Sequence, residues 1–226
     1  MDEWPVRQLR PPLKAYVGQT RSRALILELA RFGIGECTVR GELPPYRHTN
    51  GWFFDNGAFR DWRAGVPFDS EQFTKDILRI SNDVAFGRYR PPDFIVVPDL
   101  VAAGMASLEE SNSWLPDLRG RGMLYLAVQD GMDPGMIAGV LDDGLYDGVF
   151  VGGTVDWKAE TAATWVDLAH WMGLNCHIGR VGTWRKILWA FDIDADSIDS
   201  CFPLFHIVKN LRPFVETLHD VNKNLY

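Results

Sequence analysis

The chain has little cysteine and no uninterrupted apolar sequence long enough to cross a bilayer. Its three cysteines, Cys37, Cys176 and Cys201, stand far apart among 226 residues. No two of them have zinc-ligand spacing, and an odd number argues against a secreted disulfide framework. Reduced, mostly buried thiols and no bound metal are therefore expected. No apolar stretch approaches the roughly 20 residues of a membrane span, so no membrane partner is expected. The opening segment, MDEWPVRQLRPPLKAY, lacks the apolar core of a signal peptide, which points to the cytoplasm. Positive charge is also scarce. The formal net charge of −7 disfavours nonspecific coating of nucleic acid but leaves room for a local basic groove. No internal repeat, low-complexity tract or linker breaks the chain, and residues 1–226 read as one domain.

What the chain does contain is a regular alternation. Short apolar runs stand at 15–18 (AYVG), 36–39 (ECTV), 52–55 (WFFD), 93–99 (DFIVVPD), 123–130 (MLYLAVQD), 147–153 (DGVFVGG), 175–179 (NCHIG) and 196–200 (DSIDS). Amphipathic stretches separate most of them, including 70–81, 104–114, a segment opened by Pro134, and a region ending near Asn222. The clearest helix is DWKAETAATWVDLAHWMG, with Asp156 a candidate N-cap and Gly173 a candidate stop. About eight short strands alternating with helices predict a compact (β/α)8 TIM barrel of parallel strands. A doubly wound sheet is the alternative, but VGQTRSR after the first run is a poor phosphate turn.

The apolar runs end in polar groups. WFF ends in Asp55, FIVVP in Asp99, LYLAV in Gln129 and Asp130, VFV in Gly152-Gly153, CHI in Gly179 and DSI in Asp199. In a parallel barrel all these ends open at one mouth, where such folds carry chemistry. Any one acid could merely cap the next helix. Asp55, however, is followed by Asn-Gly-Ala-Phe rather than a helical pattern, and Asp199 by Ser-Cys-Phe-Pro.

Such a set suits chemistry on a glycosidic carbon. One carboxylate can attack a sugar carbon while a second protonates the leaving group. An Asp and a Gln beside accessible backbone N–H groups can bind a purine edge. Gly152-Gly153 lets the backbone approach a flat ligand, and Phe59 offers a stacking face. Among several basic clusters, Arg180, Arg185 and Lys186 follow a strand that reaches the mouth, which makes them the favoured nucleic-acid contacts.

At these residues the sequence resembles the queuine/archaeosine tRNA-guanine transglycosylase superfamily. DNGAF is similar to that family's Asp-Ser-Gly-Gly-aromatic motif, AVQDGM to its Val-Gln-Gly-Gly segment and VFVGGT to its Gly-Gly-Leu-Ala turn. HIGRVGT and ADSIDSC are similar to its Gly-Val-Gly-Thr segment and its Asp-Phe-Asp-Cys/Ser nucleophile motif. Order and approximate spacing match from about residue 50 to 201. The resemblance implies Asp199 as nucleophile and Asp55 as general acid/base. It implies that Asp99 and Gln129 read the guanine edge, with the Gly152-Gly153 backbone on the carbonyl oxygen and Phe59 as one stacking wall. For the opposite wall it leaves His177, Ile178 and Gly179 open, with Ile178 the candidate taken here. Asp196 competes with Asp199 for the nucleophile position.

The chain departs from the tRNA enzymes in lacking their Cys-x-Cys-x-x-Cys…His zinc segment and the archaeal RNA-binding domain. It looks more like the phage-type DNA deazaguanine transglycosylases, which exchange guanine in DNA for a 7-deazaguanine such as 7-cyano-7-deazaguanine. DNA is therefore the expected partner and tRNA the alternative, with guanine and a 7-deazaguanine as bases and no cofactor. The rival readings are a nucleoside or base hydrolase of the same fold, a catalytically inactive nucleic-acid-binding subunit, and a phosphate-sugar barrel gripping phosphate at GRVGT.

Overall fold

A computed structural model describes residues 11–42 and 50–223. Eight parallel strands close into a barrel in sequence order: β1 (Lys14–Gly18), β2 (Gly35–Val39), β3 (Trp52–Asp55), β4 (Ile95–Val96), β5 (Leu124–Val128), β6 (Gly148–Val151), β7 (Asn175–Ile178) and β8 (Ser197–Ser200). β1 pairs with β8, Tyr16 against Asp199, and closes the ring. The expected (β/α)8 TIM barrel is what the chain forms.

The helices are α1 (Arg23–Arg31), α2 (Ala58–Ala64), α3 (Ser70–Ala85), α4 (Met105–Leu118), α5 (Pro134–Asp142), α6 (Val155–Trp171), α7 (Trp184–Asp192) and α8 (Ile207–Lys223). Alternation is uneven: β3 is followed by two helices, and no helix lies between β2 and β3 among the described residues. Two local expectations need correction. The segment after Asp55 does become helical, because Gly57 takes a left-handed conformation (φ 76°) that turns the chain directly into α2. The N-cap of α6 is Thr154, whose hydroxyl accepts from the Trp157 N–H, while Asp156 lies in the first turn beside the positive helix end.

Strand alternation sorts the side chains into two layers. Ala15, Val17, Phe54, Ile95, Val97, Leu126, Val149, Cys176, Ile178 and Ile198 point outward and are buried against the helices. Tyr16, Cys37, Phe53, Phe94, Val96, Tyr125 and Ala127 fill the interior, with Val39 and Phe150 packed against them. This inner layer is mostly rings: Phe94 stacks on Tyr125 at 4.0 Å and on Phe53 at 4.5 Å. The aromatic plug closes the barrel below its C-terminal mouth, so the open space of the barrel lies above it. Of the thiols, Cys37 and Cys176 are buried as expected, but Cys201 is exposed at the mouth just beyond β8.

The helix that carries Phe59 and Trp62 is anchored from beneath. Asp61 of α2 pairs with the buried Arg40 guanidinium just after β2, which itself lies 4.7 Å from the centre of the Phe68 ring. Breaking a buried pair of this kind leaves an uncompensated charge and costs about 3–5 kcal/mol.

Candidate active site

A cavity of about 350 Å³ opens at the C-terminal ends of the strands. Asp55, Phe59, Asp99, Gln129, Gly152, Gly153, Arg180 and Asp199 all line it. Eight of the eleven residues singled out from the sequence thus meet in one place, although up to 144 positions separate them. They meet because each follows a parallel strand of the same ring.

Asp199 is held from behind. His177 Nε2 lies 3.0 Å from its Oδ1, and the Arg180 backbone N–H donates to the same oxygen at 3.2 Å. A carboxylate only accepts, so Nε2 carries the hydrogen, and His177 Nδ1 accepts from the Ser197 hydroxyl at 2.8 Å. Burial pulls the His177 pKa below its ordinary value even though Asp199 opposes the shift, so the ring is neutral at pH 7. The ring is fully enclosed and stacks on Phe150 at 4.9 Å, which fixes its direction. Asp199 itself keeps 14% of its side chain exposed. Both donors fall on Oδ1, and Oδ2 has no hydrogen-bond donor among the described residues.

Asp55 has the opposite character. Burial raises its carboxyl pKa to about 7, with Asp199 and Asp99 adding repulsion against a hydrogen bond from the Gly57 N–H at 2.7 Å. Asp99 is raised to about 6 by burial, against donors from Asn56 Nδ2 at 2.8 Å and Gln129 Nε2 at 3.2 Å. One cavity therefore holds a carboxyl that burial raises to about 7 and an Asp199 side chain fixed by two N–H groups.

Gln129 is placed differently from the sequence-based expectation. Its Nε2 donates to the Leu100 carbonyl at 2.9 Å and the Ser107 hydroxyl at 2.7 Å as well as to Asp99. Its Oε1 accepts from the Ala102 N–H at 2.5 Å. Both amide hydrogens are spent on the chain, which leaves only a lone pair on Oε1 for a ligand. Gln129 thus ties the β4–α4 loop together and orients Asp99.

Ile178 does not form a stacking wall. Its side chain is fully buried in the outer layer, because strand alternation turns it away from the barrel axis. Its neighbour Gly179 lines the cavity instead, and a Cβ there would fall 2.9 Å from the Phe150 ring and 3.5 Å from Asp199 Oδ1. Asp196 is at the other end of β8, where it accepts from the Cys176 N–H at 2.6 Å and lies 3.0 Å from His170 Nε2. Asp199 lines the cavity and Asp196 does not.

Arg180 crosses the mouth. Its backbone is left-handed (φ 61°), its guanidinium donates to the Gly153 carbonyl, and it lies 4.3 Å from the centre of the Phe59 ring. Arg185 and Lys186 lie outside the cavity, on the first turn of α7. Gly153 is also left-handed (φ 62°), and a Cβ there would meet the Trp157 ring at 2.4 Å. Asp130 secures this turn by accepting from the Thr154 N–H at 2.7 Å and its hydroxyl at 2.6 Å.

Four participants escaped the sequence reading: Asn56, Lys158, His177 in its orienting role, and Ser197. Lys158 of α6 is buried and donates to the Gly179 carbonyl; burial brings its ammonium pKa down to about 7. His177 and Ser197 stand two residues before Gly179 and Asp199 on adjacent strands, so inward alternation was the available signal. Nothing in the helical pattern of α6 marks Lys158. No group of three His, Cys, Asp or Glu side chains among the described residues is arranged to hold a metal ion.

No family model and no curated protein matches the chain. Solved structures do. The 3-hexulose-6-phosphate synthase of Salmonella typhimurium superposes with a TM-score of 0.52 and 8% identity over 95% of this chain and 100% of that one. A ligand-free tryptophan synthase from M. tuberculosis gives 0.53 and 13%, over 95% and 92% of the respective chains. At such identities these likenesses establish a common fold and nothing narrower: this chain is a TIM barrel.

Proposed function

We propose that the protein is a base-exchange transglycosylase that replaces guanine in DNA with a 7-deazaguanine through a covalent Asp199–sugar intermediate. The observation that carries this reading is the unequal pair in one cavity: Asp199 fixed by the His177 and Arg180 N–H groups, and Asp55 raised to about 7. Burial lets Asp55 carry a proton near neutral pH, and two N–H donors aim Asp199 for attack, which divides the labour of acid and nucleophile.

In this reading Asp199 Oδ2 forms a bond to the anomeric carbon as the bond to the guanine nitrogen breaks, and Asp55 donates its proton to the departing base. The incoming 7-deazaguanine gives a proton back to Asp55 as its nitrogen attacks the same carbon and releases Asp199. Two displacements give net retention. Asp99 accepts from the N–H edge of the base, and the Gly152-Gly153 turn faces its carbonyl oxygen.

DNA rather than tRNA is the acceptor proposed here on the resemblance to the phage-type enzymes. The phosphate-sugar reading leaves Asp55, Asp99 and Asp199 in the cavity without a role. The test is incubation with isotope-labelled guanine or 7-cyano-7-deazaguanine and matched DNA and tRNA, followed by nucleoside mass spectrometry. Label in DNA supports the assignment. Label in tRNA alone moves the acceptor, and release of free guanine without incorporation favours the hydrolase.

A further inference from the structure

The tripeptide context Asp-Trp-Arg at 61–63 has a partial echo in Thr-Trp-Arg at 183–185. The fold places these two Trp-Arg pairs on opposite sides of the mouth. Trp62 and Arg63 lie on α2, which follows β3, and Trp184 and Arg185 open α7, which follows β7. In a closed ring of eight strands in sequence order, β3 and β7 are half a turn apart.

Both indoles are open to solvent, Trp62 at 52% and Trp184 at 49% exposure, far from the burial usual for the largest apolar side chain. Trp62 lines the outer wall of the cavity and stacks on Phe59 at 5.8 Å with ring planes 25° apart. Trp184 carries the Arg185 guanidinium 5.1 Å from its ring centre. Among the described residues no carboxylate lies within ion-pair distance of Arg63 or Arg185. Arg180 spans the gap between the two sides by reaching from the β7 end to Phe59.

We infer that Trp62–Arg63 and Trp184–Arg185 form a two-sided clamp for single-stranded DNA. Each indole stacks on a base flanking the one that enters the cavity, and each arginine holds an adjacent phosphate. Stacking needs an exposed base face, which a duplex hides within its own stack. Paired aromatic and cationic groups on both lips match an unstacked strand, and they supply local positive charge on a chain of net charge −7. This inference rests on the base-exchange reading for the identity of the base in the cavity, but not for the clamp itself.

The test is fluorescence anisotropy with a labelled single-stranded DNA oligonucleotide carrying one central guanine, run beside the matching duplex and a tRNA. Trp184→Ala and Trp62→Ala should each weaken single-strand binding about tenfold, within the range of aromatic–base stacking, with Trp→Phe restoring most of it. Arg63→Ala and Arg185→Ala should each lower the slope of log affinity against log salt by about 0.7. Both tryptophans are exposed, so thermal melts should match wild type and exclude unfolding as the cause. Wild-type binding that ignores both tryptophan substitutions overturns the clamp and leaves base exchange standing. Binding to duplex or tRNA in preference to the single strand overturns it as well. Tryptophan-dependent binding without any guanine exchange upholds the clamp and sinks the base-exchange reading.

Discussion

His177 Nε2 lies 3.0 Å from Asp199 Oδ1, with Ser197 behind it at 2.8 Å from Nδ1. The three side chains come from two adjacent strands, and all face the barrel interior. A neutral, fully buried ring fixes the carboxylate through one oxygen. His177→Ala should therefore slow the exchange step about 10–100-fold while guanine affinity changes little, because the loss is one orienting hydrogen bond to a charged group. Single-turnover exchange and calorimetric guanine binding on the same preparation separate the two effects. Equal losses in both would mean that His177 only supports the fold.

Asp199→Asn and Asp196→Asn should diverge sharply. The first removes the proposed nucleophile and should abolish exchange with guanine binding intact. The second loosens the Cys176 N–H and His170 contacts at the closed end of the barrel and should lower Tm with turnover near wild type. Trapping of a covalent DNA adduct by the Asp196 variant but not the Asp199 variant checks the assignment. The reverse pattern would move the nucleophile.

Asp55 links activity to pH. Its folded-state carboxyl titrates near 7, above the ordinary 3.8, so its stability contribution is full below about 4 and is lost as pH rises through about 7. Asp55→Asn should thus melt higher than wild type at pH 8, by about 2–3 kcal/mol in stability, with the gain vanishing toward pH 4. The same substitution should lower exchange about 10²–10⁴-fold by removing the proton donor. In wild type, kcat/KM for DNA should fall as pH rises above about 7. Melting curves and initial rates across pH 4–9 test both; a higher Tm at pH 4 than at pH 8 for the variant relative to wild type would refute the linkage.

Gln129→Leu should resemble Asp99→Ala in weakening base binding, although its amide hydrogens are engaged within the protein. Leucine leaves the Ala102 N–H without its acceptor and frees Asp99 Oδ2, at a cost of about 1–3 kcal/mol in stability. The β4–α4 loop should then exchange its amide hydrogens faster. Weakened binding with an unchanged loop would return Gln129 to direct contact with the base.

Gly153→Ala should be destabilising and inactive. The new methyl would sit 2.4 Å from the Trp157 ring on a backbone at φ 62°, so the β6–α6 turn must shift. Shifting that turn also breaks the Arg180 contact to the Gly153 carbonyl. A crystal structure of the variant with the turn in place would contradict this account.

The sequence by itself determined the fold and most of the cavity. Apolar runs of four to seven residues set the strands, and the polar residues closing them had to gather at one mouth once the strands were parallel. Asp55, Asp99, Gly153 and Asp199 were legible for that reason. Strand-end reasoning is nevertheless blind to a one-residue step, which turns a side chain from one face to the other. It therefore could not decide between Ile178, which packs outward, and Gly179, which lines the cavity. The sequence favoured Asp199 over Asp196 by the Ser-Cys that follows it, and the tertiary structure places the two at different ends of the barrel, three residues apart in the chain. Only the tertiary structure showed Gln129 committed to its own loop, and Lys158 reaching from a helix to the Gly179 carbonyl. Those contacts join residues 21–29 positions apart, and their hydrogen-bond partners are chosen by packing across neighbouring βα units, which local pattern does not encode.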